Sequence, residues 1–120
     1  MKFENIEKNL VLKLAFDFSL EIIKFCELLE KQKKFVIARQ LLKSGTAIGA
    51  NIIEAQNAES KADFIHKFKI AAKEADETQY WLLLCQQSEG YLDCISLLSQ
   101  IDTITRVIGK IILTSRLKSH

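Results

Sequence analysis

The feature that most limits this chain is what does not interrupt its apolar residues. No proline occurs in 120 residues, and there are only four glycines. Proline breaks helix interiors and glycine weakens them, so such a chain favours long helices. All-β folds need many turn residues, and these are missing. The apolar residues recur every three or four positions, the period of a helix with one buried face.

Four helical stretches follow. The first is expected from about Ile6 to Lys31, with a stripe of Leu10, Leu14, Phe18, Ile22, Phe25 and Leu29. A polar break, Glu30 to Lys34, separates it from a second at 35–57, striped by Ile37, Leu41, Ser44, Ile48, Asn51 and Ala55. The third is expected at 60–88, with Ser60 as N-cap and Asp63 three residues on. Its stripe includes Phe64, Phe68, Ala71, Ala75, Thr78, Leu82 and Cys85. Gly90 marks a break, and Asp93 is expected to cap a fourth helix at 93–117. Helices of about 22–27 residues span about 33–40 Å. Matched lengths and short connections predict an all-α, antiparallel up-and-down four-helix bundle in one domain, 1–120.

The stripes are wider than one bundle core needs, which is a face of roughly 100°. The first helix carries a second set, Leu12, Phe16, Leu20, Ile23 and Cys26, and the fourth carries Ile95, Leu98, Val107 and Ile112. The excess predicts a subunit interface, with closed cyclic symmetry the default.

Other classes are excluded more simply. The three cysteines, Cys26, Cys85 and Cys94, have no CxxC spacing, so they read as apolar residues in a reducing cytoplasm. No apolar signal core opens the chain and no uncharged run is long enough to cross a membrane. The net charge of +2 permits contact with nucleic acid without demanding it.

Chemistry could hide in the second helix. Gly45 and Gly49 share a face, which suggests close approach of another backbone. Ser44 and Asn51 fall in the apolar stripe and are expected to bond across to the third helix. Glu54, Glu74 and Glu77 are candidates for that network, with Arg39, Lys43, Lys67 or Lys73 as counter-charges. A carboxylate metal site fails on ligand count: Asp63-x-x-His66 occurs once, and the other histidine is His120. No metal and no cofactor is expected. No nucleophile has a histidine at a suggestive spacing and no phosphate loop is present, so the chain is expected not to be an enzyme. Trp81 reads as a core or interface anchor ahead of a base-stacking platform. Lys33, Lys34, Arg39 and Lys43, with Arg106 and Lys110, form a candidate RNA-binding set. Acids are interspersed, but identical subunits in a ring would multiply the effect.

The stretch Gln40-Leu41-x-x-Ser44-Gly45-Thr46-x-Ile48-x-Ala50-Asn51-Ile52-x-Glu54-Ala55 resembles the signature of the bacterial 23S ribosomal RNA intervening-sequence proteins. A second block also matches: Ser60-x-x-Asp63-Phe64-Ile65-x-Lys67, then Ala71-x-Lys73-Glu74-Ala75-x-Glu77-Thr78-x-Tyr80-Trp81-Leu82. The resemblance implies a homopentamer around a central channel, with no established catalytic activity. It also implies kinship with the accessory variability proteins of diversity-generating retroelements, basic pentamers that bind RNA and a reverse transcriptase. The expected function is thus a cytoplasmic, oligomeric binding module for RNA or a ribonucleoprotein. The alternative is a protein-docking or structural scaffold pentamer that binds no nucleic acid.

Overall fold

The computed structural model describes residues 1–118, and His120 lies outside them. All regular structure among the described residues is helical: α1 (Phe3–Glu7), α2 (Leu10–Lys31), α3 (Phe35–Gln56), α4 (Lys61–Gln87) and α5 (Ile95–Leu117). None of these helices is long and apolar enough to cross a membrane.

The chain enters its first long helix through a break that periodicity does not reveal. Asn9 takes an extended backbone conformation, and its side-chain oxygen accepts the Leu12 N–H at 3.2 Å. Asparagine is among the best N-caps because this oxygen replaces a missing helix carbonyl. The short α1 ahead of it buries Ile6 and leans Phe3 on Phe16, ring centroids 5.4 Å apart.

The other ends follow local chemistry. Lys33, at φ 65°, closes α2, and its N–H reaches the Glu30 carbonyl at 2.9 Å. Ser60 caps α4 by accepting the Asp63 N–H at 3.0 Å. Gly90 supplies the left-handed turn after α4, at φ 79°. Asp93 does not cap α5. It accepts instead from Gln86 Nε2 at 2.9 Å, while Gln86 Oε1 takes the Cys94 N–H at 2.8 Å. A side chain from the preceding helix thus performs the turn's bonding, and Cys94 holds the cap position without a side-chain bond.

Packing runs in a ring: α2 on α3, α3 on α4, α4 on α5 and α5 on α2, while α1 packs on α2 and its Ile6 lines a groove shared with α3. The centre is filled by Phe18 and Ile22 from α2, Ile48 and Ile52 from α3, Phe68 and Leu82 from α4, and Ile101 and Ile108 from α5. Leu10 of the expected stripe is exposed, while Val11 and Leu12 of the same turn of α2 are buried in its place. Much of the second apolar set is absorbed by this same core. Leu12 and Cys26 are buried, and Phe16, Leu98, Val107 and Ile112 pack against it half-buried. Leu20, Ile23 and Ile95 remain exposed.

Contacts between neighbours run in opposite numerical order. Gly45 lies against Ile22 and Gly49 against Ala15. Likewise Ser44 meets Thr78 while Glu54 meets Lys67.

The two glycines work differently. A Cβ on Gly45 would come within 3.0 Å of Ile22 Cγ2, whereas one on Gly49 would sit at an ordinary 3.5 Å from Ala15 Cβ, with the Ala15 backbone at 3.9 Å. A buried side chain is therefore the reason at Gly45, whereas the expected backbone approach does not require a glycine at Gly49, where a Cβ fits at ordinary contact distance. Gly45→Leu is expected to cost about 1–3 kcal/mol by overpacking. Gly49→Ala is expected to stabilise by about 0.5–1 kcal/mol through helix propensity. Thermal melting of the two variants checks both signs.

Candidate functional site

Of the signature residues, Ser44, Glu54, Glu74, Glu77 and Trp81 make their contacts along or beside the seam between α3 and α4, while Gly45 faces α2. At its buried centre the Ser44 and Thr78 hydroxyls lie 2.9 Å apart, both residues fully buried. Thr78 Oγ1 donates to the Glu74 carbonyl at 2.7 Å. A threonine hydroxyl has one proton, so with that proton on the carbonyl Ser44 is left to donate across the seam. The expected cross-helix bond therefore forms at Ser44, with Thr78 and not with a glutamate. In the sequence Thr78 stands out only as a member of the apolar stripe. Its hydroxyl is the signal that marks it as the polar partner.

Asn51 departs from expectation. Its Nδ2 donates to the Ala47 carbonyl of its own helix at 2.9 Å, so it makes no bond to α4. Turning back on its own helix satisfies the amide without a partner across the seam. Further out, Glu54 pairs with Lys67 at 3.0 Å. Glu77 Oε2 accepts the Trp81 indole N–H at 3.1 Å, within one turn of α4. The Trp81 ring is half-buried against the core and meets the Tyr80 ring edge-on at 5.4 Å. Three separate bonds thus replace the single network of Glu54, Glu74 and Glu77.

Glu74 carries the electrostatic strain of the seam. Desolvation raises its pKa above the ordinary 4.5, the neighbouring Glu77 raises it further, and Lys43 opposes both. Arg39 makes no ion pair among the described residues, so of the four expected counter-charges only Lys67 is bound to a carboxylate of the set.

The basic residues do not form one patch. Lys33 and Lys34 sit in the turn before α3, where Lys34 Nζ lies 4.4 Å above the Tyr91 ring. Arg39 and Lys43 are exposed on α3. Arg106 and Lys110 are exposed on α5, and Arg106 pairs with Asp102 at 2.7 Å. Helices α3 and α5 occupy opposite corners of the ring and do not pack together.

Reactive groups are scarce. His66 is exposed, and no group of three His, Cys, Asp or Glu able to hold a metal lies together among the described residues. All three thiols are buried. Burial pushes Cys26 up to about 12, and Cys85 and Cys94 up to about 11, so all stay protonated near neutrality. Cys94 Sγ donates to the Leu82 carbonyl at 3.2 Å.

A family model described as 23S rRNA-intervening sequence protein matches residues 7–110. The chain belongs to that family. A crystal structure of a protein of unknown function from the S23 ribosomal protein family of Bacteroides thetaiotaomicron VPI-5482 is similar to it at 42% identity. The two superpose with a TM-score of 0.81, over 85% of this chain and 97% of that one. A search of curated proteins finds no match.

Within this intervening-sequence family member, the buried hydroxyl pair is expected to be the cohesive element of the seam. Thr78→Val should cost about 1–2 kcal/mol, because it leaves Ser44 with only a long bond to Leu41. Ser44→Ala combined with Thr78→Val should cost less than the two single changes together, as a double-mutant cycle in denaturant would read.

Glu74 gives a pH signature. Its folded pKa is raised, so its contribution to stability is full below 4.5 and is lost as pH rises through the folded value. Glu74→Gln is expected to melt like the parent below that pH and above the parent near neutrality. Melting temperature against pH is the measurement.

Proposed function

We propose that this protein is a non-enzymatic, single-domain subunit of a closed homo-oligomer, most simply a homopentamer, that binds RNA or an RNA–protein complex. Its four long helices form an antiparallel up-and-down bundle, a reading supported by the opposed order of contacts across the α2–α3 and α3–α4 seams. The ring acts in a reducing cytoplasm, where three neutral buried thiols are inert packing residues.

One observation carries the RNA reading. Lys33, Arg39, Lys43 and Lys110 are exposed and make no ion pair among the described residues. Cations left uncommitted on a surface are free to displace counterions from phosphates. In one copy they are divided between helices that do not touch, so the affinity has to come from repetition around a ring. An RNA-bound reverse transcriptase is one ribonucleoprotein of the right chemistry. A second reading, a scaffold that docks proteins and no nucleic acid, is favoured by the exposed Tyr80, Leu83 and Leu84 of α4 beside Trp81.

Light scattering is expected to give about five times the chain mass of 13.7 kDa. A mass at the single-chain value would overturn the assembly. Binding of structured RNA should weaken steeply as salt is raised. Arg39→Glu with Lys43→Glu should lower the affinity and flatten the log–log slope by about 0.7–0.9 for each phosphate that is no longer neutralised. Undetectable RNA binding by an intact oligomer would select the scaffold reading.

A further inference from the structure

At one end of the bundle the ends of α3 and α5 come beside the starts of α2 and α4. Two clefts, of about 470 and 370 Å³, adjoin there, and Phe64, Ser115 and Lys118 line both. Small-ligand sites run from about 300 to 1,000 Å³, so each cleft has room for an occupant.

The larger cleft combines two kinds of lining. Leu10, Phe64, Val107 and Ile111 make it apolar, and Lys110 and Lys118 make it positive. Leu10 is 68% exposed, an apolar side chain that the core does not use. Phe64 is half-buried, with its ring 4.8 Å from that of the buried Phe68. Both lysines are exposed, and neither makes an ion pair among the described residues. Among the described residues no Asp or Glu lines either cleft. Asp63, the acid next to Phe64 in the chain, accepts the Glu59 N–H at 3.4 Å.

The cations are also placed in order. Lys110, Thr114 and Lys118 recur every fourth residue, so they rise along one side of the end of α5 with Thr114 between the lysines. Lys61 Nζ donates to the Lys118 carbonyl at 2.6 Å, which ties that end to the start of α4.

We infer that this end cleft takes an unpaired nucleotide of an RNA strand, with its base against Phe64 and Leu10 and its phosphate at Lys110 and Lys118. The inference rests on the RNA reading above and gives it a site. A cleft lined by cations alone over apolar walls concentrates anions. The apolar lining then selects an anion that carries a flat or apolar body. Every base has a π-face to lay on an aromatic ring, and the phosphate beside it meets the lysines. A paired duplex offers its phosphates but keeps its bases inside, and the carboxylates of an acidic protein segment leave the apolar lining wet. Thr114 and Ser115 add hydroxyls, each a donor and an acceptor, beside the place of a ribose. The second cleft continues past Phe64 and Lys118, which gives a strand a way onward that a free nucleotide does not need.

A hairpin RNA with a single-stranded overhang, compared with the same hairpin made blunt, tests the site by fluorescence anisotropy on the intact protein. The overhang is expected to tighten binding at least about fivefold, the effect of one stacked base. Thr114→Glu is a change at an exposed position, and it is expected to erase that advantage by setting a carboxylate between the lysines. Phe64→Leu is expected to erase it with both cations retained. Lys110→Gln with Lys118→Gln is expected to lower the log–log salt slope on the overhang RNA by about 0.7, for one phosphate of a single strand. Should Phe64→Leu lose its helical signal, the exposed positions still decide the question. Equal affinity of the parent protein for the two RNAs, or an advantage that survives in a folded Thr114→Glu variant, would overturn the cleft and leave the RNA reading standing. No binding of either RNA would overturn that reading and the cleft with it. A free nucleoside monophosphate that binds as tightly as the overhang would overturn the strand as occupant. Polyglutamate that competes as well as single-stranded RNA of equal charge would do the same in favour of an acidic protein segment.

Discussion

The closeness of α3 to α2 at Gly45 and Gly49 sets the spacing on which the other contacts depend. With Ile22 packed over Gly45 and Ala15 over Gly49, α3 cannot move outward without opening a void beside fully buried side chains. Interiors at close-packed density do not tolerate such voids. A glycine inside a helix costs about 1 kcal/mol against alanine, and the tight packing at Gly45 offsets that cost. Fixing α3 against α2 also fixes the far side of α3. There the Ser44 and Thr78 hydroxyls must meet at hydrogen-bond distance or leave a buried polar group unsatisfied.

The surface contributes little to this stability. Lys13–Asp17, Glu54–Lys67 and Asp102–Arg106, ion pairs among the described residues, join exposed or half-exposed side chains. Pairs of that kind are worth about 0–1 kcal/mol. Burial of the stripes therefore holds the bundle together, and the surface charges are free for other uses. Glu74 is the exception, partly desolvated beside Glu77 and so unfavourable when charged.

The helices are legible in the sequence because an unbroken period of three and four, without proline, admits no other regular structure. What is not legible are choices decided by a second residue. Asn9 interrupts the first helix because its side chain finds the Leu12 N–H, and nothing in the apolar period distinguishes a capping asparagine from one inside the helix. Asp93 has the form of a cap, yet Gln86 from the previous helix takes the Cys94 N–H. Ser44 is legible as a buried polar residue needing a partner. Its partner is hidden because Thr78 is at once a stripe residue and a hydroxyl donor. Asn51 is the reverse, a polar residue whose bond stays on its own helix. The candidate RNA residues are legible as charges. Their distribution over non-adjacent helices is a property of the packing order.

That distribution bears on how a chain with a net charge of only +2 could hold RNA at all. Polyelectrolyte binding grows with the number of phosphates neutralised together, so cations scattered over opposite corners of one bundle gain little from each other. Repetition of one bundle around an axis would raise that number without changing the composition. The bundle's own contacts leave the cations for such use: Arg106 is held by Asp102, but Lys33, Arg39, Lys43 and Lys110 make no ion pair among the described residues and stay at the surface, where a phosphate backbone can reach them.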